Sequence, residues 1–251
     1  MSERLLITGA AGRIGGFLRP RLARPGRALR LLDVVPVPDP APGEEIVRAD
    51  VTDQDALDAA CRDVTAVVHL GGIPHEADWP GILHTNIHGT YAVLEAARRN
   101  GVPRVLLASS NHAAGFHPVP DTPAPDYLYP RPDTFYGVSK VAGEALGSLY
   151  HDRHGMDVLC LRIGTCEERP GDRRALSTWL SPGDCARLVE ALLTAPDPGF
   201  RIVWGASANT RGCFGLDEAR ALGYRPEDDA EEYAASVSGP DHPFIGGPFA
   251  E

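Results

Sequence analysis

The chain has 251 residues, 43% hydrophobic and 23% charged, a length that fits one domain, or one domain with a small appendage, around a substantial core and a balance in the ordinary soluble range. Its formal charge of -10 at pH 7 argues against nucleic acid or an anionic membrane as partner, while leaving room for a small acidic ligand held by a local arginine. Cys61, Cys160, Cys166, Cys185 and Cys213 show no CxxC spacing, so neither a disulfide framework nor a zinc site is indicated; with no export-like leader and no long apolar run, a cytoplasmic protein is expected.

Leu5-Leu6-Ile7-Thr8 reads as a buried strand that runs straight into Gly9-Ala10-Ala11-Gly12-Arg13-Ile14-Gly15, with helix-compatible residues continuing to about Leu22. In a strand, glycine turn and helix, Gly9 permits the tight turn, Gly12 lets backbone N–H groups approach a pyrophosphate, and Gly15 lets the helix pack closely on the strand. Leu29 to Leu32 form a second strand closed by Asp33. A carboxylate at that place accepts hydrogen bonds from adenosine ribose hydroxyls and repels a 2'-phosphate, which predicts NAD rather than NADP. The alternative is a solvated turn former.

Pro36 to Pro42 is a loop, Glu45-Ile46-Val47 a short strand leading to Asp50-Val51, and Thr52 the expected N-cap of a helix through Cys61. The continuous apolar run Ala66 to Leu70 suits a strand covered on both faces, and the following Gly71-Gly72-Ile73-Pro74-His75 leaves room for a cofactor. One long helix is expected from Trp79 to Asn100, with Ile87, Tyr91 and Leu94 on its inner stripe and Gly101 as its stop. His84 and His88 share a face, but no Glu follows His84 to complete a zinc-protease motif, and no metal is expected.

Arg104 to Ser110 is the next strand, and its exit is Ser109-Ser110-Asn111-His112. Ligands of a doubly wound sheet bind at the carboxyl ends of strands, so these groups suit a sugar-like substrate; otherwise they cap their own backbone. After a loop with six prolines between Phe116 and Pro132, a helix carries Tyr136 and Lys140 on one face, a turn apart. A phenol titrates near pH 10, but a neighbouring ammonium favours the phenolate, which then serves as general base while hydride leaves the same carbon. Val158 to Arg162 is a strand ending in Ile163-Gly164-Thr165-Cys166. The polar segment Glu167 to Arg174 is either a solvated loop or the source of an arginine, Arg169, Arg173 or Arg174, that clamps a carboxylate. Pro182 to Leu193 reads as a helix, Arg201 to Trp204 as a strand, and Gly212 to Glu251 as an acidic, partly irregular tail. The alternation predicts an α/β fold: a Rossmann-type doubly wound parallel sheet with helices on both faces. Residues 1–165 would form the cofactor core bearing Tyr136 and Lys140, and residues 166–251 a small substrate-binding region of the same compact unit.

The glycine turn, Asp33, Asp50-Val51, Asn86-Ile87-His88-Gly89-Thr90 and the Tyr136-to-Lys140 pair together resemble the extended short-chain dehydrogenase/reductase superfamily over about the first 165 residues. A narrower resemblance, to the bacterial uronate dehydrogenases, rests on Ser109 to His112, Arg162 to Cys166, Leu176 to Trp179, Val203 to Asn209 and Phe244 to Phe249. It implies NAD-dependent oxidation of glucuronate or galacturonate at C1 to an aldaro-lactone. Carried onto this chain, Tyr136 is the base, Lys140 holds the nicotinamide ribose, and Ser110, Asn111 and His112 hold the sugar, with Arg174 on its carboxylate. Arg13, Ile14, Asp33, Asp50, Val51 and the run Leu70, Gly71, Gly72, Ile73 line the dinucleotide alongside the glycine turn. The chain departs from the family's pattern at Pro74, where Ser is common, leaving His75 as its substitute, and at Thr165, where Ser is usual. The superfamily's catalytic Ser aligns with either Ser110 or Asn111. Pairing of copies through the two long central helices is the superfamily's habit, so a homo-oligomer is expected. Two readings stay beside this one: a nucleotide-sugar epimerase or dehydratase, and a non-catalytic NAD-sensing regulator on the same fold.

Overall fold

A computed structural model describes residues 3–250. Strands β1 (Glu3–Thr8), β2 (Arg27–Asp33), β3 (Glu44–Arg48), β4 (Ala66–His69), β5 (Arg104–Ser110), β6 (Asp157–Ile163) and β9 (Phe200–Gly205) form one sheet in the order β3-β2-β1-β4-β5-β6-β9. Every neighbouring pair in it is parallel. Strand order reverses between β1 and β4, which places a crevice at their carboxyl ends. The two-residue strands β7 (Thr165–Cys166) and β8 (Trp179–Leu180) pair separately, beyond the end of β6.

Side chains alternate faithfully between the two faces. Leu5, Ile7, Val68, Leu106, Leu159 and Leu161 join a cluster with α1 (Arg13–Leu22) and α7 (Pro182–Thr194). Leu6, Val67, Val105, Leu107, Val158 and Cys160 join the opposite cluster with α2 (Gln54–Ala60), α4 (Gly89–Arg99) and α5 (Phe135–His154). Both faces of the sheet are therefore dry, as its Val-, Ile- and Leu-rich strands require. The C-terminal region contributes β9 to this sheet and adds α6 (Ala175–Thr178), α8 (Asp217–Ala221) and short 3-10 turns.

Two local expectations change. The cap of α2 is Asp53, whose carboxylate accepts from the Ala56 N–H at 3.0 Å, while the Thr52 hydroxyl turns back to Asp50 at 2.9 Å. A carboxylate in the first helical turn also faces the favourable end of the helix dipole. The expected helix from Trp79 to Asn100 is in three parts: one α turn, α3 (Trp79–Gly81), a π-helical stretch Ile82–His88, then α4. The wider π turn rotates the inner stripe, so Ile82, Asn86, Thr90, Val93 and Ala97 lie inward and Tyr91 is exposed beside His88. His84 and His88 stack at 5.8 Å, and the described residues contain no cluster able to hold a metal ion.

Candidate active site

The glycine turn and the exits of β1, β2 and β4 form one cradle. Gly9 has φ +67, and a Cβ there would stand 2.7 Å from the Gly71 amide nitrogen, so the turn accepts only glycine. Gly71 packs as closely against Val51, and Gly15 against the Ala10 carbonyl. Asp33, at the end of β2, accepts the Ala11 N–H at 2.9 Å and the Val35 N–H at 3.1 Å, which locks the carboxylate to the turn. Gly12 is the N-cap of α1 and no side chain caps the helix, so its first turn is a site at which N–H groups can receive a phosphate. Ile14 and Leu70 supply an apolar floor. These features fit a dinucleotide. Gly9→Ala should cost on the order of 1–3 kcal/mol from the left-handed backbone alone and lower the melting temperature by about 2–12 °C, with cofactor affinity falling in parallel by calorimetry.

Other residues expected at this edge have different neighbours. Arg13 is 63% exposed and pairs with Glu167 at 2.7 Å, reaching from the glycine turn to the segment after β7. Asp50 is exposed and accepts from Thr52. Gly72 is exposed, and Ile73 is held through its N–H and carbonyl by the Asn86 amide at 2.7 and 3.0 Å. Asn86 also reaches Ser139 at 3.1 Å, so the π turn locks the cofactor-side loop to α5.

Helix α5 carries the Tyr136 and Lys140 pair. Thr134 caps it by accepting the Gly137 N–H at 2.9 Å, and the exposed Glu76 carboxylate accepts the Phe135 and Tyr136 N–H groups at 3.2 and 2.9 Å. Lys140 Nζ donates to the Ala108 carbonyl of β5 at 2.7 Å and stands 5.2 Å from the centre of the Tyr136 ring. Beneath them Glu144 is buried, bonded to Ser109 at 2.6 Å and to Arg162 through two contacts of 2.8 Å, an ion pair that ties α5 to β5 and β6.

His69, at the end of β4, is buried between Thr8 at 2.7 Å and Thr90 at 3.2 Å. Burial, with the Lys140 charge adding to it, pulls its imidazole from 6.5 down to about 3. Between those two values the unfolded chain binds a proton here that the folded chain refuses, so stability falls as the pH drops through that window. The slope from this one group is at most ~1.4 kcal/mol per pH unit. Urea unfolding of wild type and His69→Gln between pH 7 and 4 should show a shallower acid dependence in the variant.

The polar exit of β5 faces Tyr136. Ser110 Oγ accepts the His112 N–H at 3.2 Å and lies 3.4 Å from Asn111 Oδ1, while Asn111 Nδ2 donates to the Ile245 carbonyl at 3.1 Å. The His112 ring meets Tyr136 edge-on at 5.9 Å and Phe249 at 5.1 Å. Its Nδ1 lies 2.8 Å from the buried Asp133 carboxylate. Arg174 donates to the same Ile245 carbonyl at 2.8 Å and approaches Thr165 Oγ1 at 3.5 Å, while Thr165 pairs with Thr178 at 2.9 Å. The structure thus joins Tyr136, His112, Asn111, Arg174 and Thr165 through one short chain of contacts. His75 is exposed, and its Nδ1 pairs with the Glu76 carbonyl at 3.0 Å.

Of the neighbouring arginines, Arg173 pairs with Asp241 at 3.0 Å on the surface and Arg169 is exposed. Arg174 is half-buried and bonds only neutral oxygens among the described residues. Burial pulls its guanidinium below its ordinary value, opposed by Asp172, Cys213 and Asp133 nearby. Sequence reasoning missed Glu76 and Asp133. An acidic residue two or three positions ahead of a helix was the available signal for Asp133; for Glu76 there was none.

Comparison with known proteins agrees with this geometry. Residues 5–180 match the model of the NAD dependent epimerase/dehydratase family. The uronate dehydrogenase of Agrobacterium fabrum is 41% identical over 94% of this chain and 89% of its own length. The NAD-dependent glucose-6-phosphate dehydrogenase of Haloferax volcanii is 40% identical over 93% of this chain and 96% of its own length. A crystal structure of uronate dehydrogenase from Agrobacterium tumefaciens, a tyrosine-to-alanine mutant complexed with NAD, superposes with a TM-score of 0.93 at 40% identity, covering 99% of this chain and 97% of that one. Sheet order, glycine cradle, tyrosine–lysine helix and likeness across nearly the whole chain converge: this protein belongs to the NAD dependent epimerase/dehydratase family.

Proposed function

We propose that the protein oxidises a hexuronate, D-glucuronate or D-galacturonate, at the anomeric carbon with NAD, yielding the aldaro-lactone, in the cytoplasm. One observation carries the substrate class: Arg174 is a desolvated cation whose partners are a carbonyl and a hydroxyl, and it is tied through Ile245 to Asn111 at the exit of the strand facing Tyr136. A buried guanidinium without a carboxylate is poorly satisfied, and a substrate carboxylate completes it. The sequence relatives that act on uronates support the same reading.

NAD, when bound, supplies the acceptor for the hydride leaving C1. Tyr136 takes the proton of the anomeric hydroxyl at its phenol oxygen, and the Lys140 ammonium, 5.2 Å from that ring, stabilises the negative charge and holds the cofactor ribose. Ser110 and Asn111 orient the anomeric oxygen, His112 and Thr165 the ring hydroxyls, and Arg174 the carboxylate. Asp33 selects NAD through the ribose hydroxyls. Residues 1–165 do the cofactor work in this scheme and residues 166–251 contribute the carboxylate clamp. Glucuronate deuterated at C1 should deliver its label to the reduced nicotinamide, read by mass spectrometry. Unlabelled NADH, or turnover of UDP-sugars in place of free uronates, would overturn the assignment.

A further inference from the structure

The most enclosed acidic side chain near the cleft is one the proposed chemistry does not use. Asp133 precedes α5 and its side chain is fully buried. Glycines are built around it: an added Cβ at Gly115 or at Gly246 would overlap its carboxylate, so two backbone segments close over this group. One oxygen accepts the Thr134 hydroxyl at 3.0 Å, and the other lies 2.8 Å from His112 Nδ1. Thr134 in turn caps the helix that carries Tyr136.

A carboxylate only accepts hydrogen bonds, so the hydrogen of the neutral imidazole is placed on Nδ1. Nε2 is left with a lone pair, and among the described residues no protein group bonds it. The ring that bears it lies between Tyr136 and Phe249, with 16% of the side chain exposed. Resting on the functional reading above, we propose that Asp133 is a positioning residue for sugar recognition. By fixing the tautomer and tilt of His112 it makes Nε2 an acceptor for a hydroxyl of the uronate. With Asp133 replaced by its amide, the oxygen keeps the Thr134 hydroxyl and the NH2 turns to Nδ1, so the imidazole is driven toward the Nε2–H form, in which that atom no longer accepts.

The test is a double-mutant cycle on glucuronate oxidation with D133N and H112A, beside a long-range nitrogen–proton NMR spectrum of the wild-type imidazoles in which the His112 signals are those missing from H112A. D133N should lower kcat/KM by about 10–100-fold, mostly through KM, with NAD affinity unchanged. H112A should lose at least as much, and the double variant should match H112A, because a residue acting only through His112 has nothing left to act on. The wild-type spectrum should show hydrogen on Nδ1. Losses that multiply in the double variant, an H112A enzyme with unchanged KM, or hydrogen on Nε2 in wild type would each overturn the proposal. The spectrum decides the point even if D133N fails to fold. Wild-type protein that oxidises no uronate would instead retire the functional reading, leaving the spectrum to judge the Asp133 assignment.

Discussion

Replacing Arg174 by alanine should raise KM for glucuronate by about 100-fold or more and remove most of the preference for acidic over neutral sugars. Hydrogen bonds to a charged group contribute about 1.5–3 kcal/mol each, and truncating one partner of a buried charged pair costs about 2–5 kcal/mol. The effect should be large here because Arg174 is already partly desolvated and held by Ile245 and Thr165, so little ordering remains to be done when the carboxylate arrives. Arg174→Lys should recover only part of the loss, since an ammonium is a point charge and cannot form two parallel bonds to a carboxylate. Removal of Arg173 should change KM little, because that side chain lies on the surface with Asp241. Initial-rate kinetics on the three variants separate these outcomes, and an Arg174→Ala enzyme with unaltered KM would move the clamp elsewhere.

Tyr136→Phe should reduce kcat by about 10²–10⁴-fold, the range supplied by a positioned acid–base group, while NAD binds as before. The ring would keep its edge contact with His112 and its place above Lys140, so only the proton acceptor is removed. Stopped-flow NADH formation with calorimetric NAD binding distinguishes lost chemistry from a lost cofactor site. A variant with more than a tenth of wild-type kcat would contradict the role of the phenol.

The main strands, the glycine turn and the helix of Tyr136 and Lys140 could be read from sequence because each is written locally: an apolar run, a φ that only glycine tolerates, a pair of residues one turn apart. Tertiary contacts hid the rest. The π turn exists where Asn86 reaches Ile73 and Ser139, neither of which is its neighbour in sequence. Asp133 and Glu76 act on partners 21 and about 60 residues away; the place of Asp133 just ahead of a helix hints at a cap and not at His112, and nothing in the flanks of Glu76 marks it as other than a loop carboxylate. Adjacent arginines at 173 and 174 look alike in local pattern; in the fold the Arg173 side chain lies on the surface with Asp241, while Gly247, whose added Cβ would stand 2.5 Å from Arg174 Nε, packs against the Arg174 guanidinium. At Thr52 and Asp53 two good capping residues compete, and the backbone chooses the second.

The relatives that oxidise uronates and the one that oxidises glucose 6-phosphate are nearly equidistant from this chain in identity, so substrate choice depends on the site itself. The decisive measurement is kcat/KM for NAD reduction with glucuronate, glucose and glucose 6-phosphate under one set of conditions. A clamp built around a single desolvated guanidinium predicts glucuronate above glucose by at least about 100-fold and above the bulkier phosphate ester as well. Equal rates with glucose, or a preference for the phosphate ester, would contradict the account.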